Sequence, residues 1–223
     1  MGTVTRDGEE TARQLVGEIT ACRLCRDEPR RLPGLPHEPR PVIRLSPTAR
    51  LLVAGQAPGT RVHATGLPFN DASGDRLRSW MGIDRDTFYD RRRVSIAPMG
   101  FCFPGQDAKG GDLPPRPECA PQWRERVMAA LPGIDLVVAI GLYAIRWHVG
   151  ADAGKTLRDT VANWQALFER PGSPKVIVLP HPSWRNTHWL KANPWFERDV
   201  LPVLRREVRL RVEPEPDATL NKK

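Results

Sequence analysis

No apolar run in this sequence approaches the roughly 20 residues that a membrane-spanning helix needs. The first residues are polar and charged and lack the apolar stretch of a secretion signal. Both absences lead to the expectation of a cytoplasmic protein. Cysteine is sparse, with 4 in 223 residues, too few for a dense disulfide framework. In a reducing compartment those thiols are left to packing, catalysis or metal ligation. Acidic residues are outnumbered, 26 against 34 Lys and Arg, which gives a formal net charge of +8. Most of the excess is arginine, whose planar fork suits phosphate. A polyanionic partner is expected, although basic composition alone is common among soluble proteins and does not establish nucleic-acid binding.

What is present organises one α/β domain, since 223 residues are long enough for one well-packed core and too short for two ordinary ones. Leu15, Val16 and Ile19 among polar residues predict an amphipathic helix from Arg6 to about Ala21. The stretch Pro29 to Pro47 holds six prolines and reads as an extended connector laid on the domain surface. Four short apolar runs follow, Arg50 to Ala54, Val94 to Ala97, Leu136 to Ile140 and Val176 to Leu179. Bounded by Gly or Pro, they have the character of buried parallel strands. Helical patterns lie between them at Asp75 to Met81, Gln122 to Leu131, Leu142 to Val149 and Leu157 to Phe168, and a last one runs from Trp195 to about Val208. The alternation predicts a three-layer αβα domain over residues 1–212, its first 48 residues packed against it, around a central, mostly parallel four-stranded sheet. Residues 213–223 are expected to be a disordered polar tail. Ligands of such a sheet bind beyond the carboxyl ends of the strands.

The strand exits carry the informative residues. The first reads Gly55-Gln56-Ala57-Pro58-Gly59, a turn in which glycine allows close backbone approach and proline fixes the path. By itself such a turn is more often structural. The fourth strand ends in His181-Pro182-Ser183-Trp184-Arg185-Asn186, which brings an imidazole, a hydroxyl, a guanidinium and an amide to the same sheet edge. A decoy lies at Gly150-Ala151-Asp152-Ala153-Gly154-Lys155-Thr156: it looks like a phosphate loop but has one residue too few between its glycines and follows a predicted helix.

Taken together, the GQAPG turn, the Gly66-Leu67-Pro68-Phe69 segment and HPSWRN resemble motif A, the base-stacking loop and motif B of the uracil-DNA glycosylase superfamily, in the same order and over about Cys22 to Leu204. The resemblance implies a base-excision repair enzyme that flips a nucleotide out of DNA and hydrolyses its glycosidic bond. Phe69 is then expected to stack on the flipped base. His181 is expected to donate a hydrogen bond to the pyrimidine oxygen where charge develops. Arg185 occupies the place of the residue that wedges into DNA or meets its backbone, and Ser183 and Asn186 fix the loop or touch phosphate. Gly55, Ala57, Pro58 and Gly59 line the base pocket. DNA containing uracil is the expected partner of a monomeric enzyme, with hypoxanthine or xanthine as alternative bases.

The cysteines fall as Cys22-x2-Cys25 and Cys102-x16-Cys119. Four thiolates suit either a [4Fe–4S] cluster or tetrahedral zinc, and spacing does not choose. Iron–sulfur members of the superfamily carry a similar arrangement, so the resemblance implies a [4Fe–4S] cluster in a structural role.

Two departures matter. Related branches place an acid at the position of Gln56 or an Asp or Asn at that of Ala57, and a glutamine can orient water without taking its proton. The resemblance to a branch with an uncharged motif A makes Asp71 the expected water-activating carboxylate. Asp75 is second to it and suited to capping the next helix. The run Ser95-Ile96-Ala97-Pro98-Met99-Gly100-Phe101 also lacks the Asn that reads the uracil edge in many relatives, which leaves backbone groups near Met99 and Gly100 as the expected readers. His63 has different surroundings from a covalent-trapping histidine of the superfamily. A damage-binding module without catalysis and an iron–sulfur electron-transfer protein are the rival readings. Arg91 to Arg93, Lys109, Arg116 and Arg185 are candidates for phosphate contact, while Trp184, Trp189 and Trp195 serve either DNA stacking or packing of the last helix.

Overall fold

The computed structural model describes residues 6–31 and 33–213, so residues 214–223 of the expected tail lie outside it. Helix α1 (Arg6–Thr20) and the short α2 (Leu24–Asp27) precede the connector. Ala12, Leu15 and Ile19 recur on one helical face, and all three are buried. After the connector come β1 (Leu51–Ala54), α3 (Thr60–Thr65), α4 (Ala72–Met81), α5 (Arg85–Tyr89) and β2 (Val94–Ile96). They are followed by α6 (Cys119–Ala129), β3 (Leu136–Ile140), α7 (Gly141–Val149), α8 (Leu157–Ala162), α9 (Trp164–Glu169) and β4 (Lys175–Leu179), and finally by α10 (Thr187–Ala192) and α11 (Leu201–Val212).

The strands form one sheet in the order β2-β1-β3-β4, and every pairing among them is parallel. All residues of β1, β2 and β3 are buried, so both faces of the sheet are covered, as a three-layer αβα domain requires. Leu51 pairs with Val94 on one side and with Leu136 on the other. The chain thus leaves β1 first toward β2 and later returns to β1's other flank, which opens a crevice between the carboxyl ends of β1 and β3. The connector protects the outer edge of β2: Arg44 and Ile96 exchange backbone hydrogen bonds of 2.9 and 2.7 Å in an antiparallel bridge.

Some boundaries differ from expectation for local reasons. The helix predicted over 157–168 breaks at Asn163, a poor helix former, into α8 and α9. The last helix opens with a π-helical turn, Phe196–Val200, just before Pro202, which has no N–H to give to the preceding turn. Residues 150–152 form a 3₁₀ turn after α7, and Thr156 caps α8, so the GADAGKT segment is a loop and helix start, as expected. Trp189, Trp195 and Phe196 meet edge to face, which assigns the first two to packing of the last helix.

One buried polar pair makes a stability prediction. Arg124 is 1% exposed and donates to the Ala97 carbonyl at 2.7 Å and to Nε2 of His148 at 2.6 Å. Burial, assisted by the arginine's charge, pushes the His148 imidazole down to about 3. The folded protein therefore keeps His148 neutral where the unfolded chain takes up a proton, and stability is lost as pH falls below about 6.5. The limiting slope is about 1.4 kcal/mol per pH unit. Between about pH 6.5 and 5 the melting temperature of wild type should fall more steeply than that of His148→Gln, which keeps an acceptor for Arg124 but does not titrate. Parallel pH dependences in calorimetry would refute this assignment.

Candidate active site

The crevice at the switch point holds a cleft of about 770 Å³. Its floor is the GQAPG turn leaving β1. Gly55 and Gln56 are laced to the β2 exit, because the Met99 N–H donates to the Gly55 carbonyl at 2.9 Å and the Gly100 N–H to that of Gln56 at 2.8 Å. Those amides are thereby engaged, and Met99 and Gly100 lie outside the cleft lining. Of the backbone groups expected to read the base here, the two N–H groups hold the motif A turn in place. Gly141 begins α7 with φ 76°, and a Cβ there would stand 2.9 Å from Cδ of Gln56, so the glutamine side chain lies against the start of α7.

Phe69 forms one wall and is held in an unusual conformation. Its φ of 53° makes it the one described non-glycine residue in the left-handed region, a strain of about 1–3 kcal/mol that the surroundings must hold. Three contacts do so. The Arg78 guanidinium donates to the Phe69 carbonyl at 3.2 Å, and the Tyr89 hydroxyl donates to the Pro68 carbonyl at 2.7 Å. Phe88 meets the Phe69 ring edge to face. Two glycines make room: a Cβ at Gly55 would come within 3.1 Å of the ring, and one at Gly74 within 1.7 Å of the Phe69 carbonyl oxygen.

Asp71 also lines the cleft and is the N-cap of α4, its Oδ1 accepting the Gly74 N–H at 2.9 Å. Capping had been expected of Asp75, which instead pairs with Arg78 and stays out of the cleft. The reason is register, since α4 begins at Ala72 and its first turn needs an acceptor one residue earlier.

His181 stands at the end of β4 and lines the cleft. Burial pushes its imidazole below the ordinary histidine value, against the opposing pull of Asp71 and Asp112, so at neutral pH it is a neutral ring with one N–H to donate. The HPSWRN loop is fixed through its carbonyls: the Asn186 side chain donates to His181 at 2.7 Å, the Asn186 N–H to Ser183 at 3.1 Å, and Arg76 to Ser183 at 3.0 Å. Asn186 thus fixes the loop. Arg185 lines the cleft but donates to the Gly110 carbonyl at 3.2 Å, while Trp184 beside it is 74% exposed at the rim. The geometry favours Trp184 over Arg185 as the projecting side chain. Arg116 is likewise withdrawn from phosphate contact, bound to the carbonyl of Pro33 and the carboxylate of Glu118. Arg92 and Arg93 share Asp90, and His63 packs against His37 and Phe103 outside the cleft lining.

Sequence reasoning missed Arg78 and Tyr89, which hold the stacking loop, and Tyr143, Gln106 and Asp112, which line the cleft. Tyr143 follows β3 by three residues, and attention to that third strand exit would have found it. Gln106 and Asp112 lie in the Gly-rich stretch between Cys102 and Cys119, which reads only as a spacer when the cysteines dominate attention.

The four cysteines are brought near one another by α1–α2, the β2 exit and the start of α6, and all are free thiols. Each of Cys25, Cys102 and Cys119 interacts electrostatically with others of the set, Cys22 included. Burial pushes the Cys25 thiol up to about 11 and that of Cys102 to about 12, and raises Cys119 as well. Such thiols ionise only with a cation beside them. The Phe101 N–H donates to Sγ of Cys119 at 3.4 Å, a contact suited to a ligating sulfur. The donor set fits a four-thiolate centre in kind and number, although no group of three or more His, Cys, Asp or Glu among the described residues is arranged as a metal-ligand set.

No helix among the described residues is long and apolar enough to cross a membrane. A family model, Uracil DNA glycosylase superfamily, matches residues 43–205, a span that includes all four strands, the GQAPG turn, Phe69, HPSWRN, Cys102 and Cys119, and begins after Cys22 and Cys25. The chain therefore belongs to the uracil DNA glycosylase superfamily and is a DNA glycosylase, a hydrolase that acts on damaged bases.

Proposed function

We propose that this glycosylase removes uracil from DNA by hydrolysis and leaves an abasic site, acting as a monofunctional monomer. The observation that carries the reading is the convergence of Phe69, neutral His181 and cleft carboxylates over the GQAPG turn, at the carboxyl end of the sheet. Phe69 offers a ring face to a flipped base. His181 donates its ring N–H to the base oxygen on which charge collects as the bond to the sugar lengthens. Asp71 keeps one carboxylate oxygen without a donor among the described residues and borders the cleft in which water would meet the sugar. Gln56 orients that water without deprotonating it. Trp184 at the rim and the arginine-rich surface favour DNA.

The test is release of base from labelled oligonucleotides that carry one uracil, hypoxanthine or xanthine. Uracil release alone supports the reading, whereas preferential release of hypoxanthine or xanthine assigns the pocket to another deaminated base. The absence of an acid from Gln56 and Ala57 favours one rival, a protein that binds damaged DNA without cutting the glycosidic bond. It gains support if no base is released while damaged DNA is still bound tightly.

We also propose that Cys22, Cys25, Cys102 and Cys119 hold a [4Fe–4S] cluster, with zinc as the alternative. Bound there, the group ties the N-terminal helices to the β2 exit and to α6. Protein purified without oxygen should contain iron and sulfide near 4 each per chain, as such a cluster requires, and Cys119→Ser should lose both. One zinc per chain, without sulfide, would replace the cluster by a zinc site.

A further inference from the structure

The acid missing from motif A has a counterpart in space. Residues 105–115 fold back over the cleft as a pinned flap. Gln106 and Asp112 pair across it, the Leu113 N–H donates to the Gly105 carbonyl at 2.9 Å, and Oδ1 of Asp107 accepts the N–H groups of Lys109 and Gly111, each at 2.8 Å. Arg185 of motif B holds its tip through Gly110, and Pro115 packs on Gly100. This anchoring fixes the Asp112 carboxylate. Its Oδ1 accepts from the Gln106 amide at 3.2 Å, and its Oδ2 would lie 3.1 Å from a Cβ on Gly59, an approach that glycine leaves open. Gly59 closes the same turn that carries Gln56 and Ala57. Asp112 thus stands over motif A, while Asp71 stands on the Phe69 side; both act on the charge of His181, Asp71 the more strongly, and each has one oxygen committed, that of Asp71 to capping α4 and that of Asp112 to Gln106.

We infer that Asp112 is the general base of the hydrolysis, supplying from the flap the carboxylate that motif A lacks. The inference rests on the glycosylase reading. The oxygen of water forms a bond to C1′ of the sugar as the bond from C1′ to the base breaks, and the electron pair leaves with the base. The water's proton passes to Oδ2 of Asp112 and then, through solvent, to the departed base anion. Water and nucleotide become an abasic sugar and a neutral base, with no other reactant. The role explains why motif B holds the flap through Arg185 and Gly110: a base must keep its place relative to the His181 donor.

Single-turnover base excision by Asp112→Asn, Asp112→Ala and Asp71→Asn tests this, with affinity for abasic-site DNA and melting temperature measured beside it. Asp112→Asn should lose about 100-fold or more, the usual contribution of a positioned base, and lose the acid limb of the pH–rate profile, with affinity and melting temperature near wild type. Formate should restore part of the rate to Asp112→Ala, which a structural role would not allow. Asp71→Asn should lose less than Asp112→Asn. Excision by Asp112→Asn within about threefold of wild type, or a larger loss in Asp71→Asn, overturns the inference and leaves the glycosylase reading intact. Failure of wild type itself to release any base overturns that reading and this role with it.

Discussion

His181→Ala should lower single-turnover base excision by about 100- to 1,000-fold, the usual effect of removing one preorganised donor from developing negative charge. The size follows from the surroundings of the ring. Burial holds the imidazole neutral, so its N–H meets the leaving base as a fixed dipole in a site where water is scarce. The Asn186 side chain grips the His181 carbonyl at 2.7 Å, and Arg76 grips that of Ser183, so the ring need not be repositioned during the reaction. His181→Gln keeps an N–H donor and should recover part of the loss. Affinity for abasic-site DNA should change little in both variants, because the donor acts on charge that exists only as the bond breaks. Loss of binding in proportion to excision would mean that His181 serves recognition and not the chemical step.

Gly74→Ala should be the most damaging single-methyl change near the site. The added Cβ would lie 1.7 Å from the Phe69 carbonyl oxygen, where no side-chain movement can relieve the overlap because the obstacle is backbone. Either α4 or the stacking loop must shift, at about 1–3 kcal/mol for forced overpacking, which in a protein of this size lowers the melting temperature by roughly 2–12 °C. The functional loss should exceed what stability explains. The Phe69 carbonyl is the acceptor for Arg78, and that bond helps to keep Phe69 at φ 53°. Excision should therefore fall at a temperature where Gly74→Ala is still folded, and Phe69→Ala combined with it should add little further loss. Full excision by folded Gly74→Ala would show that the stacking loop need not hold this conformation.

Two of the segments that line the cleft were legible from residue types at strand ends. The GQAPG turn and the His181 imidazole stand where an α/β sheet presents its ligands, whereas Phe69, between α3 and α4, was singled out by the resemblance of its segment to a base-stacking loop. What escaped were groups whose role depends on what lies across from them. Asp75 read as the cap of the next helix, and only the start of α4 at Ala72 made Asp71 the cap and Asp75 a partner of Arg78. Arg116 looked like a phosphate contact until Glu118 and the Pro33 carbonyl were seen to hold it, and the tie of Arg185 to Gly110 was equally invisible. That the Met99 and Gly100 amides are laced to the GQAPG turn was likewise invisible in the sequence.

The sequence by itself determined the α/β class, the four strands, the helical N-terminus and the family, because these rest on local periodicity and on short motifs whose chemistry is carried by neighbouring residues. Only the tertiary structure decided that the sheet runs β2-β1-β3-β4 with every pairing parallel, that the flap carries Asp112 over motif A, and that Arg78 and Tyr89 hold Phe69 in the left-handed region. Those arrangements depend on contacts between residues far apart in the chain, where the pairing is chosen by the packing of whole elements and leaves no periodic trace in the sequence.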